Sequence, residues 1–334
     1  MEDKIYPIAV IGGGAAGTMA VLRTVLNNDE TLFFPGNGKD KKRSRAFWVR
    51  KVENMPGHLS YKKGIEDPNL ESLKFLAEGE FKDKFHWLKG RGVVEIKKRP
   101  SGGFTLTDSK GEQYTARFII LATGVMDVQP EIDGSIAPIL PYANVQIVDY
   151  CIRCDGHHTK GKHVSVIGHQ MDAPWVGAIL HERYDCPIHL LTNGKEPEFD
   201  EDGKKLIKAY NFKVSTSPII GVEGDDKKLD LKGFQLADGE FVQTDFSFIS
   251  LGMIVYNELA KSLGVDVDDR GFVITDAKGH TNIEGVYAAG DLRAGVKKQI
   301  YTAWDTAVDS ADHINGILRR EKRNKAYQDS DIKI

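Results

Sequence analysis

The sequence predicts an α/β protein made of two parallel-sheet units, with the second inserted into the first. Three observations carry this prediction. A buried strand runs into a glycine-rich turn and a helix near the start, a second buried strand of that kind lies near the middle, and short buried strands ending in glycine follow residue 245. At 334 residues, 41% of them hydrophobic, the chain is long and apolar enough for two cores.

Ile5 to Ile11 reads as a buried strand, and Gly12-Gly13-Gly14-Ala15-Ala16-Gly17 turns it into the apolar helix Thr18 to Leu26. Strand, glycine turn and helix in that order mark a dinucleotide-binding turn: Gly12 for the tight bend, Gly14 for close approach of a pyrophosphate, Gly17 for helix–strand packing. The acid expected about 20 residues on, for ribose hydroxyls, is missing. The strand Thr31 to Phe34 ends in Pro35-Gly36, and Asp29 and Glu30 precede it as surface residues. The basic run from Gly38 to Arg45 reads as a loop. Val93 to Lys98, Phe104 to Asp108 and Tyr114 to Leu121 read as a β-meander joined by polar turns, leading into Ala122-Thr123-Gly124, whose small side chains allow a ligand close to the backbone.

A second unit is expected from about Asp133. Its strand His163 to Ile167 runs into Gly168-His169-Gln170-Met171-Asp172-Ala173, where side chains stand in place of the bare backbone that a pyrophosphate needs. The chain is expected to return to its first unit at the buried strand Phe246 to Leu251. Val286 to Ala289 then ends in Gly290-Asp291, and Gln299 to Arg320 is mostly helical with Trp304, Val308 and Ala311 as a core face. Asn324 to Ile334 reads as a polar tail.

Within the second unit, Cys151-Ile152-Arg153-Cys154-Asp155 places two thiols three positions apart with a carboxylic acid directly after them. A thiolate is the reactive species, so a vicinal pair beside a proton-handling group suits thiol–disulfide exchange. The competing reading is a zinc site from Cys151, Cys154, His157 and His158, but adjacent histidines crowd a site that normally spaces its second pair by about three to five residues. Redox chemistry is the expectation, with no metal ion. Cys186, the third cysteine, is expected to be a reduced core residue.

Forty-five basic against 48 acidic residues give a net charge of −3, which offers no general attraction to nucleic acid or an anionic membrane. No apolar run of about 18 residues occurs, and the first strand starts too early for a signal peptide, so a cytoplasmic location is expected.

Five features now stand in order: Gly12-x-Gly14-x-x-Gly17, Val52-Glu53-Asn54-Met55-Pro56-Gly57, Ala122-Thr123-Gly124, Cys151-x-x-Cys154-Asp155-Gly156, and Gly290-Asp291 followed by Gln299. Together they resemble the low-molecular-weight thioredoxin reductases, homodimeric FAD-containing disulfide reductases, from about Ile5 to Ile317. The resemblance implies two Rossmann-like three-layer domains. An FAD domain is split over residues 1–130 and 246–334, and 131–245 form an inserted redox domain with a degenerate NAD(P)H-type fold. It implies that Gly12, Gly14 and Gly17 hold the FAD pyrophosphate, with Ala15 and Ala16 also in the cofactor site. Asn54, Val94, Ala122, Thr123, Gly124, Gly290, Asp291, Lys298, Gln299 and Ile300 would complete the cofactor site. Cys154 would exchange electrons with the flavin, Cys151 would attack the disulfide of a thioredoxin-like protein, and Asp155 would act as acid and base.

The departures from the family also point somewhere. Lys298 stands where an arginine is usual, and Pro35 where the ribose acid is usual. NADPH-using members carry Gly-x-Gly-x-x-Ala and an arginine cluster. Here the matching stretches are Gly168 to Ala173 and Leu191-Thr192-Asn193-Gly194-Lys195-Glu196, with Asp172, Glu196 and Glu198 repelling phosphate. The chain therefore resembles the pyridine-nucleotide-independent branch in which ferredoxin or a similar carrier reduces the flavin. Lys39, Lys41, Lys42, Arg43, Arg45, Lys297 and Lys298 are candidate docking charges. The alternatives are an NADPH-dependent reductase using Lys195, a small-molecule dithiol oxidase, and an FAD-bound redox sensor. Tyr327, in the extended tail, is a candidate to stack on the flavin.

Overall fold

The computed structural model describes residues 4–36, 45 and 49–330. Two compact units emerge: the described residues of 1–47, 65–126 and 255–334 form the first, and those of 48–64 and 127–254 the second.

In the first unit the strand Ile5–Ile11 lies between two parallel neighbours, Thr31–Phe34 and Gln113–Leu121. Phe85–Trp87 extends the sheet parallel beyond Thr31–Phe34, and Val286–Ala288 pairs parallel with Gln113–Leu121. Strands Val93–Lys98 and Phe104–Asp108 add the antiparallel meander beside Gln113–Leu121. Ile8 to Ile11 is an unbroken apolar run because both faces of this sheet are covered. Ile8, Val10, Phe33 and Ile120 pack on one side with Ala20 and Val21 of helix Ala15–Leu26 and Ala303, Ala307 and Ile314 of helix Ile300–Asp329. Ala9, Ile11, Leu32 and Ile119 pack on the other with Leu106, Ala260 and Val265. Each large apolar side chain so enclosed contributes about 1.5–3 kcal/mol relative to exposure.

Register decides where function can sit. Ile11 aligns with Phe34 and Leu121, and Leu121 with Ala288. These four of the five parallel strands thus end together, and the segments after them leave from one sheet edge, where α/β proteins bind ligands.

The second unit has a five-stranded parallel sheet in the order Lys213–Ser215, Ile188–Leu191, Val164–Ile167, Phe246–Ile249, Val148–Asp149, and a three-stranded antiparallel sheet, Ile219–Asp225, Asp230–Leu236 and Phe241–Gln243. Helix Asp172–Tyr184 covers the parallel sheet through Ala173, Ala178 and Leu180.

Four details differ from expectation. Phe246–Ile249 does not return to the first unit; it pairs with Val164–Ile167 and Val148–Asp149, and the return comes at Val255. Residues 48–64, expected in the first unit, group with the second. Hydrogen bonds tie them there: the Lys51 N–H donates to Gln146 Oε1 at 2.8 Å, and Gln146 Nε2 donates to the Lys51 carbonyl at 3.3 Å. The last helix runs to Asp329, so 324–329 is exposed helix rather than irregular tail, with Tyr327 40% exposed on it. Its buried face is Ala303, Thr306, Ala307, Ser310, Ala311 and Ile314, while Trp304 and Val308 are half-buried. Small residues win that face because they let the helix lie close against Ala15–Leu26.

Candidate active site and cofactor cradle

The second unit presents the sulfur chemistry. Strand Val148–Asp149 delivers the chain to Cys151, which caps the single helical turn Ile152–Asp155. Cys151 and Cys154 form a disulfide. The Cys154 N–H donates to the Cys151 carbonyl at 3.0 Å and to its Sγ at 3.2 Å. An amide aimed at that sulfur stabilises negative charge on it once the bond opens. Arg153 is exposed, and Cys186 is buried and reduced, its thiol pushed up by burial.

Asp155 is 3% exposed. Burial, then the charge of Asp149 and a hydrogen bond with it, raise its carboxyl to about 8. Asp149 had no signal in the sequence. It too is buried and raised by burial, but its carboxylate accepts the N–H groups of Tyr150 at 2.6 Å and Cys151 at 3.2 Å. The two amides favour the ionised form of Asp149 against its burial, while Asp155 keeps its proton at neutral pH. A protonated carboxyl directly after Cys154 is a proton source for a thiolate leaving the disulfide.

Glu53 stands beside the same turn. Its Oε2 meets His157 Nε2 at 2.9 Å and His158 Nε2 at 2.8 Å, and the His157 hydrogen bond holds its carboxyl below the usual range. His158 Nε2 lies 3.9 Å from Asp155 Oδ1, and burial lowers its imidazole. Asn54 follows on this segment, half-buried in the second unit.

In the first unit the glycine turn leaves the edge defined above. Gly12 has φ +118°, and a Cβ there would overlap the Ala122 carbonyl oxygen; one on Gly17 would overlap the Gly12 carbonyl. Gly14 begins helix Ala15–Leu26 with no side-chain cap and no acid in the first turn, and the Thr18 hydroxyl in that turn is buried with no partner among the described residues. Bare amides at a helix start without a competing anion fit a pyrophosphate. The residues present therefore fit FAD.

Most of the predicted cofactor residues converge. The Ala122 N–H donates to Ile11 at 2.8 Å, the Thr123 hydroxyl donates to the Tyr256 carbonyl at 2.6 Å, and Gly124 accepts from Tyr256 N–H at 3.1 Å. A Cβ on Gly290 would stand 2.6 Å from that of Ala16, so the loop carrying Asp291 packs on the glycine-turn helix. Asp291 lies 3.6 Å from Arg45. Lys298 donates to the Arg293 carbonyl at 2.5 Å and sits 3.9 Å over the Phe272 ring; burial lowers its amine to about 8, opposed by Asp291. Gln299 is buried at the start of helix Ile300–Asp329, whose first turn has no acid. Val94 is 62% exposed on the outermost strand.

In the second unit the equivalent turn is crowded. Gln170, Met171 and Asp172 are exposed between strand Val164–Ile167 and helix Asp172–Tyr184, and Asp172 sits in the first helical turn. The Thr192 hydroxyl donates to the Lys195 carbonyl at 2.6 Å. Asn193 accepts the Ile219 N–H and donates to the Glu131 carbonyl, each at 2.8 Å.

The pyridine nucleotide-disulphide oxidoreductase family matches residues 6–311. The thioredoxin reductase of Listeria monocytogenes is 28% identical over 311 residues, 90% of each chain. That of Treponema pallidum is 28% identical over 312 residues, 89% of this chain and 92% of its own. The solved thioredoxin reductase of Streptococcus pyogenes shares the fold with a TM-score of 0.81 at 19% identity, covering 96% of this chain and 100% of that one. The Giardia duodenalis enzyme does so at 0.79 and 21%, covering 95% and 100%. The chain belongs to the pyridine nucleotide-disulphide oxidoreductase family and is an FAD-dependent disulfide oxidoreductase of the thioredoxin-reductase type.

Proposed function

We propose that this enzyme reduces the disulfide of a thioredoxin-like protein through Cys154 and Cys151, and that its electrons arrive from a one-electron carrier of the ferredoxin class rather than from NADPH. The observation that carries the second half is the turn from Gly168 to Asp172. Three exposed side chains stand where a nicotinamide coenzyme needs bare amides, one of them an acid at the helix start. Thr192 and Asn193 are bound to the protein's own backbone, and no arginine follows them before Glu196. FAD, when bound, accepts electrons singly and passes two to a disulfide.

The chain's own residues supply the rest. Opening the Cys151–Cys154 bond takes two electrons and two protons. The Cys151 thiolate then attacks one sulfur of the acceptor disulfide, forming a mixed disulfide and releasing one acceptor thiolate. Cys154 attacks the Cys151 sulfur, restores the internal bond and releases the second acceptor thiol. Asp155 holds the proton that each departing thiolate needs. Relatives named thioredoxin reductase support this choice of acceptor, and a homodimer in the cytoplasm fits the same reading.

Among the candidate docking charges, Lys39, Lys41, Lys42 and Arg43 lie outside the described residues. Arg45 faces Asp291, Lys298 turns to the Arg293 carbonyl, and Lys297 is exposed.

Enzyme photoreduced without oxygen by two electrons per flavin and mixed with oxidised thioredoxin is expected to yield two thioredoxin thiols per flavin, and Cys151→Ser enzyme none. Peroxide formation from small dithiols, with thioredoxin left oxidised, would instead make the protein an oxidase.

A further inference from the structure

Beside the disulfide turn lies a cluster that the electron path leaves unused. His157 and His158 are consecutive on the 3₁₀ turn Gly156–Thr159, their ring centroids 4.1 Å apart. Side chains so close in sequence usually diverge, yet both Nε2 atoms reach the same oxygen of Glu53, at 2.9 and 2.8 Å. Glu53 comes from a segment 104 residues earlier in the chain than His157. All three ligand atoms lie within 4.8 Å of one another.

We propose that Glu53, His157 and His158 form a binding site for a zinc-class divalent cation, held by two imidazole nitrogens and one carboxylate oxygen, with water in the remaining position. Zinc takes nitrogen and carboxylate oxygen at about 2.0–2.2 Å, which sets tetrahedral ligand atoms roughly 3.3 Å apart. The two nitrogen–oxygen spacings are slightly shorter, so a small outward rotation of Glu53 admits an ion. The imidazoles are steadied on their own side: the His158 ring stacks on Phe246 with a 17° interplanar angle, and the Thr159 hydroxyl donates to the Gly156 carbonyl at 2.7 Å and fixes the turn. The three side chains are 27%, 48% and 36% exposed, open to an ion from solution. Asp155, protonated at neutral pH, adds no charge, while Lys51 and Lys162 oppose a cation.

Two nitrogens with a single oxygen select zinc, cobalt, nickel or copper over magnesium and calcium, which want oxygen shells. The cysteines are not ligands here. In the oxidised enzyme they are bonded to each other, which separates this site from one assembled on free thiols. The site does not depend on the electron donor or the acceptor.

Oxidised holoenzyme titrated with zinc chloride in a calorimeter is expected to bind one ion per chain, and magnesium chloride to give no heat. Glu53→Gln, His157→Asn and His158→Asn, each checked for wild-type flavin absorbance and circular dichroism, are each expected to weaken binding at least about 10-fold. Absence of zinc binding to the oxidised enzyme would overturn the proposal. So would folded variants that all bind as tightly as the wild type.

Discussion

Asp155→Asn is expected to slow disulfide exchange about 100-fold, the lower end of what a positioned general acid contributes, while flavin content stays at the wild-type level. The side-chain amide still donates to Asp149, so the turn keeps its shape and only the proton is lost. Stopped-flow oxidation of the prereduced enzyme by thioredoxin, followed from pH 6 to 10, reads the effect. In the wild type the acid form is present below about 8, so the exchange rate is expected to hold to that pH and fall above it. Asp149→Asn removes the neighbouring charge but leaves the burial, so this limb is expected to move to lower pH.

Stability should follow the same proton. A carboxyl raised from 3.8 to about 8 in the fold stabilises it most at low pH, and that contribution is lost as pH rises between those values. Asp155→Asn removes the charge that is costly to bury. Its thermal midpoint should exceed that of the wild type most clearly at pH 8, with the gap closing towards pH 4. A pH-independent gap and an unshifted rate profile would show that Asp155 is not the titrating acid.

Gly12→Ala is expected to yield protein without FAD. At φ +118° an alanine is strained by about 1–3 kcal/mol, and its methyl overlaps the Ala122 carbonyl at the edge where Ala122, Thr123 and Gly124 converge. Backing that strand end away opens the turn the pyrophosphate requires. Gly102→Ala is the control: its φ is +89° but nothing lies within 4 Å of the added methyl, so it should lose some thermal stability and remain yellow. Gly12→Ala enzyme purified with full flavin absorbance would contradict the assigned cradle.

The glycine turn and the Cys-x-x-Cys-Asp unit were legible in the sequence because each is local: a few consecutive residues fix both conformation and chemistry. Asp149 was invisible for the opposite reason. It sits in an unremarked Val-Asp-Tyr run, and only its burial at the end of a short strand, beside Asp155, makes it a partner. Glu53 belonged to a recognisable motif, but its pairing with His157 and His158 spans about a third of the chain and no spacing rule reaches that far. The strand Phe246–Ile249 was placed in the wrong unit because an all-apolar run carries no mark of which sheet it joins. In the last helix Ala311 is core as expected, whereas Trp304 and Val308, the larger apolar residues, are half-buried because close helix packing selected Ala303 and Ala307.

The central claim is that the second unit keeps its dithiol chemistry without a working nicotinamide coenzyme site. Oxidised enzyme mixed without oxygen, in parallel, with NADPH, NADH and chemically reduced ferredoxin tests it through flavin absorbance. Rapid bleaching by ferredoxin and none by either nucleotide within the same interval is expected. Rapid bleaching by NADPH at micromolar concentration would contradict it.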